Sequence, residues 1–469
     1  MTQAQEVNHP QFGKGILLKT FMGGYEWEVE FESGRRFRLP SREFETQSIE
    51  TVQEELAPSI LPKSISQTAI LEPDQFRARQ TLEALRFGIV PVQDVETLTI
   101  GLEAERVTLE RALARTIEQG GDVQCVIGDY GFGKSHFVEL AARRALRRNY
   151  LVTTASLDLL EVPPNKAYRV YQALMKSLRY PDTEETGLAP LLKKAAKTPA
   201  AVRAMVEMSP IPERCPLALG LNALLESNSQ AVFDDILGWL SGDIHPNKTL
   251  RPYIKKLPRL YHIGETSRLY AYLLTGIGML ATLLGYSGMS ILIDESEHYS
   301  LLRARQRGRA DSFFTAMIAA AVQTNAGRVD VEAVGHHHYR EYPAAFANES
   351  PIFFLFALTE SESKLPVDVW LSPTQIVRLD DRFIEKDIRK FMNTLLDYHG
   401  LAYDYSPHRE NYKEMLTAMP NILSKTLSQH RINLRELIRT SVSIFDLLYL
   451  YDDYASNDIL EELKQGLNL

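Results

Sequence analysis

The sequence predicts an α/β fold: a parallel sheet flanked by helices, with a small β-barrel ahead of it and a helical region behind it. Three observations lead there. Between about residues 75 and 360, apolar β-branched runs alternate with segments of helical periodicity, the order that places parallel strands inside a wrap of helices. The stretch CVIGDYGFGKSHFVELAARRALRRN, residues 125 to 149, breaks an apolar run with three glycines, a lysine and a serine, then resumes at once as a basic helix. Residues 7 to 45 alternate apolar and polar side chains in short runs cut by Gly23-Gly24 and Ser33-Gly34, which is hairpin composition.

At 469 residues the chain exceeds the size of one core, so two or three domains are expected. Its 45% apolar and 24% charged residues are ordinary for a soluble globular protein and exclude global disorder and fibrous folds. A net charge of -8 argues against a chain that coats nucleic acid indiscriminately, and leaves local basic patches open. Cys125 and Cys215 are the two cysteines, with no CxxC or Cys/His spacing, so neither a disulfide framework nor a structural zinc is implied and a reducing cytoplasm fits. No basic segment followed by an apolar core opens the sequence, so an export signal is not expected. Leu273 to Ile293 carries no charge over the ~20 residues that a spanning helix needs. Gly285 and Gly288 bracket a turn within it, however, so the expectation is a buried helix, a turn and a buried strand, and no membrane.

In chain order the expected domains are a barrel over 1–48, a polar linker over 49–74 holding Pro58 and Pro62, an α/β core over 75–380, and a helical domain over 381–469. In the first module Trp27, Val29 and Phe31 share one strand face. His9, Phe12, Gly13 and Gly15 spell H-x-x-F-G-x-G, followed by V-x-F-x-x-G at Val29, Phe31 and Gly34. On these residues the module resembles the small SH3/Tudor-like domain of superfamily-one repair helicases. That resemblance implies a docking surface for protein partners; a structural cap is the alternative. Helical periodicity follows over 73–91 and 101–121, the second helix ending at Gly120-Gly121. YLVTTASL, 150 to 157, reads as a strand and AYRVYQALMKSLRYP as the helix after it. A mainly helical insertion over about 186–260 is broken by Pro210, Pro212 and Pro216. Strands return at 290–293 and 351–358, and helices from about 382 onward.

Gly128 to Ser135, GDYGFGKS, satisfies G-x-x-x-x-G-K-[ST] in the strand–loop–helix setting that gives this motif its meaning. A loop that wraps a triphosphate must point successive backbone N–H groups inward and approach the oxygens closely, which a Cβ hinders. Gly128, Asp129, Tyr130, Gly131, Phe132, Gly133, Lys134, Ser135 and His136 are the candidate nucleotide-binding residues. Lys134 supplies a charge to the β and γ phosphates, Ser135 a hydroxyl to Mg²⁺, and the helix its positive N-terminus. ATP and Mg²⁺ are the expected cofactors. Arg143, Arg144, Arg147 and Arg148 lie at the far end of the same helix, where cations complement its negative pole.

A second landmark is MSILIDESEHYS, an apolar strand ending in Asp294-Glu295. Asp294 is the candidate metal carboxylate with Ser135, and Glu295 the candidate that orients the attacking water, which would make a nucleotide binder an ATPase. FFLFALTES ends a neighbouring strand in Thr359-Glu360-Ser361, and Thr359 is the candidate sensor of the γ-phosphate. Arg303, Arg305, Arg307 and Arg309 follow the acidic pair. They suit a finger reaching a neighbouring subunit, a phosphate-backbone contact, or solvated charge, and Arg305 is the candidate finger. Arg435 and Arg439 are weaker candidates for folding back onto the nucleotide. His336-His337-His338 lacks a companion set of ligands, so a loop is expected there rather than a metal site.

These residues, with VIGDYGFGKSHFVELAARRAL, RVYQALMKSLRYP and ILIDESEHYSLLRARQRGRADS, resemble the P-loop ATP-binding family of bacteriophage-exclusion (BREX) and related prokaryotic defence loci. The resemblance spans about residues 75 to 450. It implies an AAA-like fold, ATP hydrolysis, and work beside a helicase or DNA-modifying partner in antiphage defence. A homo-oligomer and contact with DNA are expected on the same ground. The N-terminal module is an addition to the family pattern, and Glu297-His298 has no role assigned by it. Two alternatives stand: a nucleotide-gated scaffold or switch with little turnover, and an origin-recognition-like or helicase-loader ATPase.

Overall fold

The computed structural model describes residues 5–9, 12–21, 26–40, 72–227, 229–242, 248–258, 260, 267–322, 329, 342–347, 349, 351–360, 365–380, 383–405, 410–429, 432–451 and 458–461. The chain separates into two compact units, Met1–Ile70 and Leu71–Leu469. His336 to His338 and Ser361 lie outside the described residues, as does the side chain of Trp27.

In the first unit, strands β1 (Gln5–His9), β2 (Gly13–Phe21), β3 (Glu26–Phe31) and β4 (Arg36–Pro40) pair antiparallel in chain order. Val7, Val29 and Phe31 form its buried centre, with Leu17, Phe37 and Leu39 packed around them. The ring of Phe12 stacks on Phe37 at 4.9 Å and meets His9 at 4.9 Å, so the H-x-x-F pair caps this centre. Gly15 is required because a Cβ there would stand 2.6 Å from Cγ1 of Val29. Among the described residues β1 and β4 are not paired with each other, so the sheet is an open meander there.

The second unit is built on a five-stranded sheet: β5 (Asp122–Gly128), β6 (Tyr150–Ser156), β7 (Gly288–Asp294), β8 (Ile352–Thr359) and β9 (Ile376–Arg378). The order is β6-β7-β8-β5-β9 and every pairing is parallel. Strands of such a sheet are covered on both faces, and β5, β7 and β8 are apolar and buried almost throughout. Alternate side chains feed two cores. Val126, Tyr150, Val152, Leu292 and Phe353 face helices α2 (Glu103–Gln119) and α3 (Lys134–Arg147). Cys125, Leu151, Ile291, Phe354 and Phe356 face the opposite layer.

That opposite layer contains α4 (Ala167–Lys176), α5 (Ala189–Ala196), α6 (Pro199–Met208), α7 (Pro216–Glu226), α8 (Gln230–Ser241), α9 (Ser267–Leu283), α10 (Ala304–Val322) and the short α11 (Val367–Trp370). Over the span expected as a helical insertion lie α5 to α8, of which α6 and α7 pack on α9. The charge-free run at 273–293 is the end of α9, a turn at Gly285 and strand β7. Among the described residues no helix is long and apolar enough to cross a membrane.

A third cluster joins α12 (Glu385–Tyr403), α13 (Glu410–Ser428) and α14 (Leu434–Leu450) to α1 (Pro73–Phe87), which comes from the other end of the unit. The joint is polar at its heart. His399, fully buried, reaches Tyr405 Oη at 2.8 Å through Nδ1 and Asp446 Oδ1 at 2.9 Å through Nε2. Arg86 of α1 adds a bond to Asp446 Oδ1 at 2.6 Å, so both charges in this cluster are satisfied. Asp446 is accordingly held below the usual carboxylate range by His399 and Arg86, against its burial.

Close approach of α9 to the sheet depends on Gly278. A Cβ there would lie 2.8 Å from Cγ2 of Ile352 and 3.6 Å from Cβ of Met289. Inside an exposed helix, alanine is favoured over glycine by about 1 kcal/mol; here the sign reverses. Gly278→Ala is expected to cost about 1–3 kcal/mol of unfolding free energy through overpacking, read as a lower midpoint in urea titration.

Candidate nucleotide site

The strand that ends at Gly128 and the helix that begins at Lys134 leave five residues to turn the chain. Two of them, Gly131 (φ 84°) and Gly133 (φ 88°), take the left-handed conformation that only glycine adopts without strain. Close packing adds a second demand at two positions. A Cβ on Gly128 would stand 3.2 Å from Leu379 Cβ, and one on Gly131 would stand 2.7 Å from Cγ of Asn433. Lys134 is only 8% exposed, and its ammonium donates to the carbonyl oxygens of Gly128 at 3.1 Å and Asp129 at 3.2 Å. The loop thus curls round the Lys134 ammonium.

Across the sheet, Asp294 ends β7, and the Ser135 side chain at the start of α3 is close enough to lower the pKa of its carboxyl. Burial raises the pKa of Asp294, and nearby Glu297 pushes the same way, while Ser135, the Glu295 amide and Lys134 oppose them. Ser135 opens α3 and Asp294 ends β7, so their nearness is a tertiary fact. Glu295 takes the left-handed conformation (φ 56°), is exposed, and accepts a hydrogen bond from Ser156 of β6 at 3.3 Å. Thr359 ends β8 directly beside Gly128 in the parallel register and is 2% exposed. Its hydroxyl donates to Oε1 of Glu297 at 2.6 Å.

One cavity is lined by Gly131 to His136 of the loop, by Asp294, Glu295 and Glu297, and by residues that sequence reasoning missed. The missed residues form an apolar wall: Leu85 at the end of α1, Ile89, Val90 and Pro91 after it, then Leu98 and Ile100. Phe383, Leu434 and Ile438 add to it from the C-terminal helices. Gly88 to Pro91 belong to the stretch 73–91 expected as helical, whereas the helix ends at Phe87, and nothing in these four residues points to a ligand. Arg435, a weaker expectation, reaches the site: its guanidinium lies 4.9 Å over the ring of Tyr130 and donates to that hydroxyl at 2.7 Å. Tyr130 is otherwise open, at 66% exposure. Asn433 caps α14, accepting from Glu436 N at 3.0 Å, so α14 begins directly above the loop.

Other expected residues fall elsewhere. Arg303 and Arg305 are exposed at the start of α10 and do not line this cavity, and Arg307 donates to the carbonyl oxygens of Leu302 and Ser300. Arg439 does not line the cavity either. Arg144 and Arg147 pair with Glu96, and Arg148 with Glu110, which leaves the basic end of α3 engaged with its own neighbours. Among the described residues no three His, Cys, Asp or Glu side chains converge to hold a metal by themselves. Ser135 with Asp294 fits Mg²⁺ differently, as an ion held by one carboxylate, one hydroxyl and substrate phosphates.

Residues 74–198 match the model of a family described as BREX system ATP-binding protein BrxC/D. Over that segment the chain is similar to that family. The matched residues run from α1 through the loop, α3 and β6 to α5. No curated protein matches the chain. The matched segment contains the glycine loop and part of the apolar wall, while Asp294, Glu295, Glu297, Thr359 and Arg435 lie beyond it.

His136, the first residue after the motif, lies in the α3 helix with Nε2 2.9 Å from Thr99 Oγ1. Burial is the main cause that brings its pKa down to about 4, with Arg106 adding to it and the Val95 backbone opposing. An unfolded histidine titrates near ~6.5, so between that value and the folded one the unfolded chain binds more protons. His136 therefore contributes stability that is full above the unfolded pKa and is lost as the pH falls toward the folded one. Urea midpoints at pH 7 and pH 5 should drop with acidification in the wild type, and drop less in His136→Asn.

Proposed function

We propose that this protein binds ATP with Mg²⁺ and hydrolyses it as an AAA-like ATPase of BREX antiphage defence. In this reading it is a cytoplasmic homo-oligomer that acts beside a helicase or DNA-modifying partner and contacts DNA. The single observation that carries the proposal is the meeting of the glycine loop, the Ser135–Asp294 pair and Thr359 at one end of the sheet. The BREX-family match of residues 74–198 supports the same ligand and the same defence setting.

Mg²⁺, held by Ser135 and Asp294, would supply positive charge to offset that of the bound triphosphate. Amides at the start of α3 and the loop backbone hold the anion, and Lys134 exchanges its loop carbonyls for phosphate oxygens. Ser135 and Asp294 orient toward the metal. Glu295 is positioned at the end of β7 to take a hydrogen of the attacking water, once freed from Ser156. The apolar wall excludes water from the base, and Arg435 is placed to move from Tyr130 to the phosphates. Arg305, exposed on its own subunit, serves as the finger for a neighbour.

A nucleotide-gated scaffold would share the binding half of this account, so the test separates binding from turnover. Lys134→Ala should weaken ATP affinity in calorimetry by about tenfold or more, since it removes a charge-assisted contact. Glu295→Gln should bind ATP within a few-fold of the wild type while phosphate release falls by about 10²-fold or more. Unchanged release in Glu295→Gln rejects catalysis by that residue, and binding without release in the wild type favours the scaffold. Turnover per chain should rise with protein concentration, and Arg305→Ala should flatten the rise. A flat wild-type profile retires the finger.

A further inference from the structure

Glu297 is the acidic side chain at the site for which neither the motif nor the family match provides a role. It stands two residues beyond Glu295, on the 3₁₀ turn that follows β7, and lines the same cavity as the glycine loop. One of its carboxylate oxygens accepts from Thr359 at 2.6 Å. The other, Oε2, is buried and has no hydrogen-bond partner among the described residues. Thr359 itself is buried beside Gly128, where the strand end approaches the phosphate loop.

A hydroxyl carries one proton. While Thr359 gives it to Glu297, it has none to give to a γ-phosphate oxygen, so the two acceptors compete. The competition is also electrostatic, because a carboxylate on the cavity wall repels the extra negative charge that distinguishes ATP from ADP. We infer that Glu297 is a positioning residue which holds the Thr359 hydroxyl in the absence of a γ-phosphate and yields it when one arrives, so setting the discrimination between ATP and ADP. This inference rests on the nucleotide reading above and deepens it. Thr359 is the hydrogen-bonded anchor of the Glu297 side chain within the described structure, so its departure strips that bond from a carboxylate whose Oε2 is already buried and unpartnered. Such a state is costly. The cost falls on ATP alone, since ADP does not call on Thr359.

The test uses the full-length chain and calorimetry with Mg²⁺, comparing ADP with a non-hydrolysable β,γ-methylene analogue of ATP. Glu297→Ala should tighten the analogue by roughly 5- to 20-fold, the range expected for removing a competing charge-assisted bond. ADP affinity should stay within about twofold. Thr359→Val should weaken the analogue and leave ADP alone, and in that background Glu297→Ala should give a smaller gain. Thr359→Ser, which keeps the hydroxyl, should behave as the wild type, and thermal midpoints identify any variant that fails to fold. A purely structural Glu297 would weaken both nucleotides together or change neither, and either result overturns the inference. If the wild type binds neither nucleotide, the nucleotide reading itself fails; if it binds both and Glu297→Ala leaves their ratio unchanged, only this inference does.

Discussion

The insertion of β8 between β5 and β7 is the constraint on which the site depends. Parallel strands stand about 4.8 Å apart, so the intervening β8 sets the axes of β5 and β7 about 10 Å apart. β8 occupies that gap and ends in Thr359, beside Gly128 in the register. Were β5 and β7 neighbours, Asp294 would crowd the loop and no third polar group would lie between them. The burial of β8 on both faces keeps this spacing rigid, since every residue from Ile352 to Thr359 is covered.

Burial also sets the electrostatics. Lys134 and Asp294 are both withdrawn from water, and each is stabilised by groups that a nucleotide complex would displace or share: loop carbonyls for the one, the Ser135 hydroxyl for the other. Dipoles already aimed at the place where charge will sit need not reorganise when it arrives. Glu295 and Glu297 are each held by a hydroxyl from a different strand, Ser156 of β6 and Thr359 of β8. The carboxylates are thus tied to the two strands that flank β7, which connects the acidic end of β7 to the state of the whole sheet edge.

The C-terminal helices close the site from above, and their anchorage explains how. α14 starts over the glycine loop with Asn433 against Gly131 and Arg435 on Tyr130, and its far half is pinned through Asp446 to Arg86 of α1 and His399 of α12. Because α1 also contributes Leu85 to the apolar wall, the same helix braces the lid and lines the pocket. A shift of α14 would therefore be felt at the loop and at the polar joint together.

Much of this was legible without coordinates, because local chemistry announces itself locally. Glycines at fixed spacing followed by lysine and serine, an apolar strand ending in two acids, and the alternation of strands and helices each depend on neighbours in the chain. The charge-free run at 273–293 was readable as helix, turn and strand for the same reason: Gly285 interrupts it. What required the tertiary structure is everything made by distant segments. β9 is three residues long, too short for a periodic signal, and is a strand because β5 offers it an edge. The apolar wall draws on residues from Leu85 to Ile438 whose side chains are ordinary core types, indistinguishable in sequence from any buried surface. Arg435 and Arg439 looked alike as letters, and only the packing of α14 on the loop selects Arg435 for the cavity. Glu297 sits two places from Glu295 in the chain, yet its partner Thr359 is 62 residues away, and only folding brings that hydroxyl to it.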